Sequence, residues 1–194
     1  MAMEKAVKLT GGIRLKKIKL LLMILTMVMM SVVGYAETIY PETMNNGNLV
    51  LVDGGMGVGK YVDRSSVSVQ RYEPPYYQIA INIVNIRFSD DYWSQHGTYV
   101  GGPYKISKEY TALFRYNWNR KLVSHQHHDG IWRDWDINKN HSHADGDPFV
   151  PYAAETAFVS AYNMRFYNNT MGYSPISKGK YRVISEAFYR KLGL

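Results

Sequence analysis

The sequence predicts an α+β domain: an antiparallel sheet of about five or six strands, with two C-terminal helices packed on one face or end. Three observations lead there. Residues 76–88 alternate apolar and polar side chains, as a half-buried strand does. The last third changes to a spacing of three and four, the stripe of a helix. Strand signals come first and helix signals last, an order that segregates helices against an antiparallel sheet.

The chain opens with Lys5, Lys8, Arg14, Lys16, Lys17 and Lys19 against one acid, Glu4, and then runs apolar or small from Leu20 to Gly34. These 15 residues fall short of the roughly 20 that span a bilayer as a helix. A basic start, a short greasy run and small residues at Gly34 and Ala36 describe a secretory signal cut after Ala36. Residues 1–36 are thus expected to be a removable signal peptide, with contact to the membrane only during export. Residues 37–194 are expected to form a single exported domain, periplasmic, cell-surface or secreted.

Six of the 23 Lys and Arg leave with that segment, and one of the 16 acids, so the remainder carries 17 against 15, a net of +2. A nucleic-acid partner needs a clustered basic face and is not expected. The absence of cysteine removes disulfides, thiolate ligands and Cys nucleophiles together. Stability must come from packing, to which 16 of the 17 tyrosines contribute.

Strand candidates follow in order. Residues 48–52 form a short one, ended by Asp53-Gly54-Gly55 with Gly57 and Gly59. Residues 66–72 alternate around Val67 and Val69 and stop at Pro74-Pro75. In the 76–88 strand Tyr77, Ile79, Ile81 and Ile83 are apolar, after which the phase flips to Val84, Ile86 and Phe88. That flip implies a bulge or a strand that changes its buried side. Residues 90–103 read as a loop. In residues 110–118, Tyr110, Ala112, Phe114, Tyr116 and Trp118 share one face. Residues 122–128 and 131–137 flank Asp129-Gly130 as a hairpin with a two-residue type I′ turn. The helices follow: one carries the stripe Ala154, Ala157, Phe158, Ala161, Tyr162 and Arg165 with Pro151 in its first turn, and one covers residues 181–192 with Gly193 beyond its end.

The spacing Gly54 to Lys60 imitates a phosphate-binding loop, but Tyr61 stands where Ser or Thr would meet Mg²⁺ and a strand follows where a helix is needed. A glycine-rich turn between strands is the better reading. Five of the six histidines fall between positions 125 and 143. In a two-residue-turn hairpin His125 faces Asp134, a pair that would orient the imidazole. His141, His143, Asp145 and Asp147 alternate and would project to one side of an extended segment. The set His125, Asp134, His141, His143 and Asp145 is therefore a candidate site for a divalent metal such as Zn²⁺ or Mn²⁺. A Ca²⁺ loop on Asp134, Asp136 and Asn138 departs from its pattern at Lys139 and Asp145. Trp93, Trp132 and Trp135 are candidate contacts for a protein or carbohydrate ligand; such rings also fill cores. No catalytic residue is assigned, and the HExxH and CxxC patterns are absent.

The run KYVDRSSVSV at 60–69, the strand to Ile86, the 110–118 strand and Trp132-Arg133-Asp134-Trp135 resemble small exported bacterial proteins related to surface-adhesin protein E. The resemblance spans roughly residues 48–135 and continues into the first helix. It implies an antiparallel sheet with a flanking helix and, for some members, binding to host matrix proteins. The cysteine pair that many of them carry is missing here. The leading expectation is thus a non-enzymatic exported or envelope-associated binding protein, adhesin-like, without cofactor. The alternative is a metal-binding protein or metal-dependent hydrolase built on the His/Asp cluster.

Overall fold

In the 76–88 strand, the change of apolar phase between Ile83 and Val84 decides how the whole sheet is covered. The computed structural model describes residues 38–137, 148–174 and 177–194. Seven strands form one antiparallel meander in chain order: β1 (Thr43–Met44), β2 (Leu49–Gly55), β3 (Val58–Glu73), β4 (Tyr76–Phe88), β5 (Tyr104–Asn117), β6 (Leu122–Gln126) and β7 (Trp132–Trp135). A second sheet pairs β8 (Met171–Ser174) with β9 (Gly179–Arg182). Helices α1 (Asp90–His96), α2 (Val150–Tyr162) and α3 (Glu186–Lys191) complete the described elements. The fold is α+β.

Pairing of β4 with β3 runs without interruption from Asn82 opposite Asp63 to Arg87 opposite Val58, so the phase flip is not a bulge in β4. The strand instead changes the side it buries. Ile79, Ile81 and Ile83 enter the main core with Phe114, Tyr116, Val123 and Trp135, under the Ala153, Ala154, Ala157 and Phe158 face of α2. Val84, Ile86 and Phe88 enter a second core on the opposite face with Tyr61, Tyr40 and Tyr99, against which Trp93 packs. Gly59 has a steric role there, because a Cβ would stand 2.6 Å from the buried Tyr61 ring. The bulges fall on the neighbours: β5 carries the extra Ser107, and β3 bows out between Asp63 and Ser68.

Turn chemistry explains the connections. Between β2 and β3 the Gly54 to Lys60 run is a hairpin, with Met56 and Gly57 at φ 53° and 75° as the two left-handed turn residues. β3 and β4 meet across Pro74-Pro75, whose peptide bond is cis. Residues 90–103, expected to be loop throughout, contain α1. Ser89 Oγ accepts from Tyr92 N at its start, Asp90 and Asp91 occupy its first turn, and Gly97 closes it in the left-handed region.

The β6–β7 turn corrects the sequence expectation. Only Gly130 of the pair Asp129-Gly130 has positive φ, 78°. His127 N donates to Ile131 O and Gly130 N to His127 O, both at 2.9 Å, so His128, Asp129 and Gly130 form a three-residue loop with glycine at the left-handed position. The register therefore moves by one: His125 lies opposite Arg133, and Asp134 lies opposite Ser124. A one-residue slip exchanges faces. Asp129 causes the difference, since its carboxylate accepts from Ile131 N at 2.9 Å and from Arg133 at 2.6 Å, bonds that favour the longer loop. The Ile131 N–H, and then the charges of Arg133, His127 and His128, hold its carboxyl below the usual range.

Helix α2 ends at Tyr162 on a left-handed Asn163, so Arg165 lies past it. Phe158 sits at its centre of packing, with the rings of Tyr77, Tyr116, Trp118, Tyr162 and Phe166 all within 4.9 to 5.6 Å. The helix is also buried on the side away from the sheet. There Glu155, fully buried, accepts from Tyr189 Oη at 2.8 Å and from Tyr167 N at 3.1 Å, tying α3 and the segment before β8 to α2. Burial pushes its carboxyl up to about 7, against the lowering effect of those hydrogen bonds. The second helix is shorter than residues 181–192: Tyr181 belongs to β9, and Ser185 caps α3 by accepting from Phe188 N. Gly193 follows it at φ 83°.

Candidate functional site

The histidines of the hairpin define the site when followed across the sheet. His125 lies opposite Phe114, whose ring is in the main core, so the imidazole stands on the face covered by α2. Two residues on, His127 continues toward the end of β6, and its ring centre is 6.0 Å from that of His125 and 4.2 Å from that of His128. His127 Nδ1 is 3.9 Å from Asp129 Oδ1. On the same face, Lys60, Asn85 and Lys108 face one another across β3, β4 and β5, one row beyond Val62, Ile83 and Tyr110.

The three histidines, Lys60 and Lys108 line a cleft of about 470 Å³, with Phe149 at one wall. Lys60 Nζ lies 3.6 Å from the centre of the Phe149 ring, and Lys108 Nζ 5.2 Å from that of Tyr110. Such cation-π contacts set an ammonium against an aromatic face. Phe149 is the residue that starts α2, the positive end of that helix dipole. The lining contains Lys60, Lys108, His125, His127 and His128, and among the described lining residues there is no Asp or Glu. The arrangement offers hydrogen-bond donors and positive charge to an anionic group.

A structural feature of the sheet puts backbone in the same place. β6 pairs with β5 only from Phe114 to Asn117, opposite His125 to Leu122. Among the described residues no strand pairs with the outer edge of β5 before Phe114. Tyr110 to Phe114 line the cleft consecutively, so that edge forms its floor.

Two other hollows are less suited. One of about 590 Å³ includes Trp118, Lys121 and Arg165. Its cations are engaged: Lys121 donates to Phe166 O at 2.8 Å and sits 3.3 Å from the Trp118 ring centre, and Arg165 pairs with Glu186. Another, of about 510 Å³, is bordered by Arg64, Arg190 and Lys191; Lys191 pairs with Glu42 at 3.2 Å, and Arg64 donates to Ser160 Oγ.

The residues singled out from sequence separate accordingly. His125 and Asp134 are on opposite faces of the hairpin, and Asp134 instead receives a hydrogen bond from Ser124 Oγ at 2.5 Å. The expected His125–Asp134 pair is not formed. His141, His143 and Asp145, with Asp147, Asn138 and Lys139, lie outside the described residues. Among the described residues no group of three His, Asp or Glu side chains is placed to hold a metal ion. Trp135 is a core residue, 6% exposed, against Tyr167. Trp93 stacks on Tyr99 with 5.0 Å between ring centres, partly buried in the second core. Trp132 is on the outer face, where the Arg115 guanidinium lies 3.7 Å from its ring centre. Lys60, Lys108 and Phe149 were not anticipated. The alternation around Val62 and Tyr110 would have set both lysines on the core-facing side of their strands, which is the one signal they gave.

The proposed signal segment, residues 1–36, also lies outside the described residues. Among the described residues no helix is long and apolar enough to cross a membrane. Compared with known proteins, the chain matches no family model, no curated protein and no solved structure.

Proposed function

We propose that the chain is an exported, non-enzymatic binding protein whose cleft between β5, β6 and the start of α2 receives a ligand bearing negative charge. The observation that carries this reading is the lining itself: two ammonium groups and three imidazoles around one hollow, with no carboxylate among the described lining residues. A cleft with walls of one sign concentrates oppositely charged partners at its mouth. The half-buried Tyr110 ring offers apolar contact of the kind that binding sites generally use beside a few polar groups. The expected export signal and the resemblance to surface-adhesin proteins, both read from the sequence, support an extracytoplasmic ligand.

Calorimetric titration of the purified protein with polyglutamate and with a sulfated oligosaccharide tests the proposal. At least one should bind, and the affinity should fall at least tenfold in the doubly reversed variant Lys60→Glu, Lys108→Glu, with a further loss as salt screens the charges. Binding of neither probe, or equal binding by the variant, contradicts it. Export is tested separately: the N-terminal sequence of the secreted product should start at Glu37, and an uncut chain in the soluble cytosol would remove the extracytoplasmic part of the reading.

A further inference from the structure

We infer that the face of the sheet opposite the histidine cleft carries a second, separate site, which takes a neutral oligosaccharide along Gln78, Arg115 and Asp134 beside the Trp132 ring.

That face is open at one end only. Val84, Ile86 and Phe88 are covered by the second core, whereas Tyr76 and Gln78, on the same side of β4, are not buried. Strand pairing sets Gln78 opposite Arg71 on β3 and Arg115 on β5, then Arg115 opposite Ser124, and Ser124 opposite Asp134. These side chains form one row across five strands, about 19 Å at the usual strand spacing. An aromatic ring stands in the row on either side of it. Trp132, half-buried and opposite Gln126, meets the Arg115 guanidinium at 3.7 Å from its ring centre. Tyr76, opposite Asn117, is 51% exposed.

Hydrogen bonds within the row fix its side chains. Arg115 Nε donates to Gln78 Oε1 at 3.1 Å, Ser124 Oγ donates to Asp134 Oδ1 at 2.5 Å, and Arg71 pairs with Glu73. Each bond uses one polar atom and leaves another. Among the described residues, the terminal nitrogens of Arg115, Gln78 Nε2 and Asp134 Oδ2 have no hydrogen-bond partner. Side chains oriented beforehand lose less entropy when a ligand binds.

The balance of groups selects the ligand. Arg71 and Arg115 are offset by Glu73 and Asp134, so a polyanion or a polycation gains little here. The polar row separates the two rings, which therefore do not join into the continuous apolar centre that a protein interface uses. A sugar hydroxyl both donates and accepts, matching a row in which amide and guanidinium donors alternate with hydroxyl and carboxylate acceptors. The C–H face of a sugar ring packs on an aromatic side chain. A neutral oligosaccharide uses both features.

The test is chemical-shift mapping of the isotope-labelled protein with maltohexaose, cellohexaose, mannohexaose and N-acetylchitohexaose. At least one should produce saturable shifts of the Trp132 indole and the Arg115 and Gln78 side chains. Its affinity should fall at least tenfold in Arg115→Ala and in Trp132→Ala, and at least threefold in Gln78→Ala, a change on the open face that keeps the inference testable if the tryptophan variant fails to fold. The doubly reversed Lys60→Glu, Lys108→Glu variant should bind as the wild type does. Binding of none of the four, or binding lost in the lysine variant and kept in Arg115→Ala and Gln78→Ala, overturns the inference. Neither result bears on the cleft, whose reading is decided by polyglutamate and the sulfated oligosaccharide.

Discussion

Replacing Glu155 with Gln tests how a buried carboxyl is accommodated between α2 and α3. The side chain is fully buried and accepts hydrogen bonds from Tyr189 Oη and Tyr167 N. Burial raises its carboxyl from the ordinary 4.5 to about 7. The folded state therefore holds this proton more tightly than the unfolded state. Its contribution to stability is complete below about pH 4.5 and is lost as pH rises through about 7. At about 1.4 kcal/mol per unit, the full difference is about 3 kcal/mol, most of which falls between about pH 5 and pH 8.5. Glutamine keeps the shape, can accept from Tyr167 N and donate to Tyr189 Oη, and carries no charge to bury. Urea unfolding of both proteins across that range should show the wild-type midpoint falling relative to Glu155→Gln. With a slope near 2 kcal/mol/M the divergence is roughly 1 M. Parallel midpoints would refute the reasoning, because they would mean that ionising Glu155 costs the folded state nothing.

Other consequences follow from the packing. Phe158→Ala removes the ring around which five aromatic side chains gather, and should cost about 3 to 5 kcal/mol in urea unfolding; a loss below about 1 kcal/mol would deny that α2 is docked through it. Gly59→Ala drives a methyl to 2.6 Å from the Tyr61 ring and should destabilise by about 1 to 3 kcal/mol, whereas Gly55→Ala, with nothing within 4 Å, should stay within about 0.5 kcal/mol. Because Asp134 is on the face away from His125, Asp134→Ala should leave the His125 ring resonances in place while shifting Ser124; movement of the imidazole signals would favour the two-residue turn.

The sequence revealed the strands where burial is one-sided. Ile79, Ile81 and Ile83 against Val84, Ile86 and Phe88 disclosed the change of apolar phase, and left a bulge and a change of buried face as its two readings, between which the uninterrupted β3–β4 pairing decides. The hairpin register was not legible, since Asp129-Gly130 serves both a two-residue and a three-residue loop, and the choice depends on Ile131 N and Arg133 reaching Asp129. Helix α1 was hidden by its aromatic residues, although Ser89-Asp90-Asp91 and Gly97 are its caps. Helix α2 is buried on both sides, so Glu155 interrupts no apolar stripe that a sequence could display. The cleft was half visible: the histidines cluster in sequence, but Lys60 and Lys108 reach them only through the pairing of β3, β4 and β5.

Chemical-shift mapping of the isotope-labelled protein during titration with polyglutamate tests the cleft assignment most directly. The account predicts saturable perturbations centred on Tyr110 to Phe114, His125 to His128 and Phe149, absent from the Lys60→Glu, Lys108→Glu variant. Perturbations centred instead on Arg64, Arg190 and Lys191, or none at all, would contradict it.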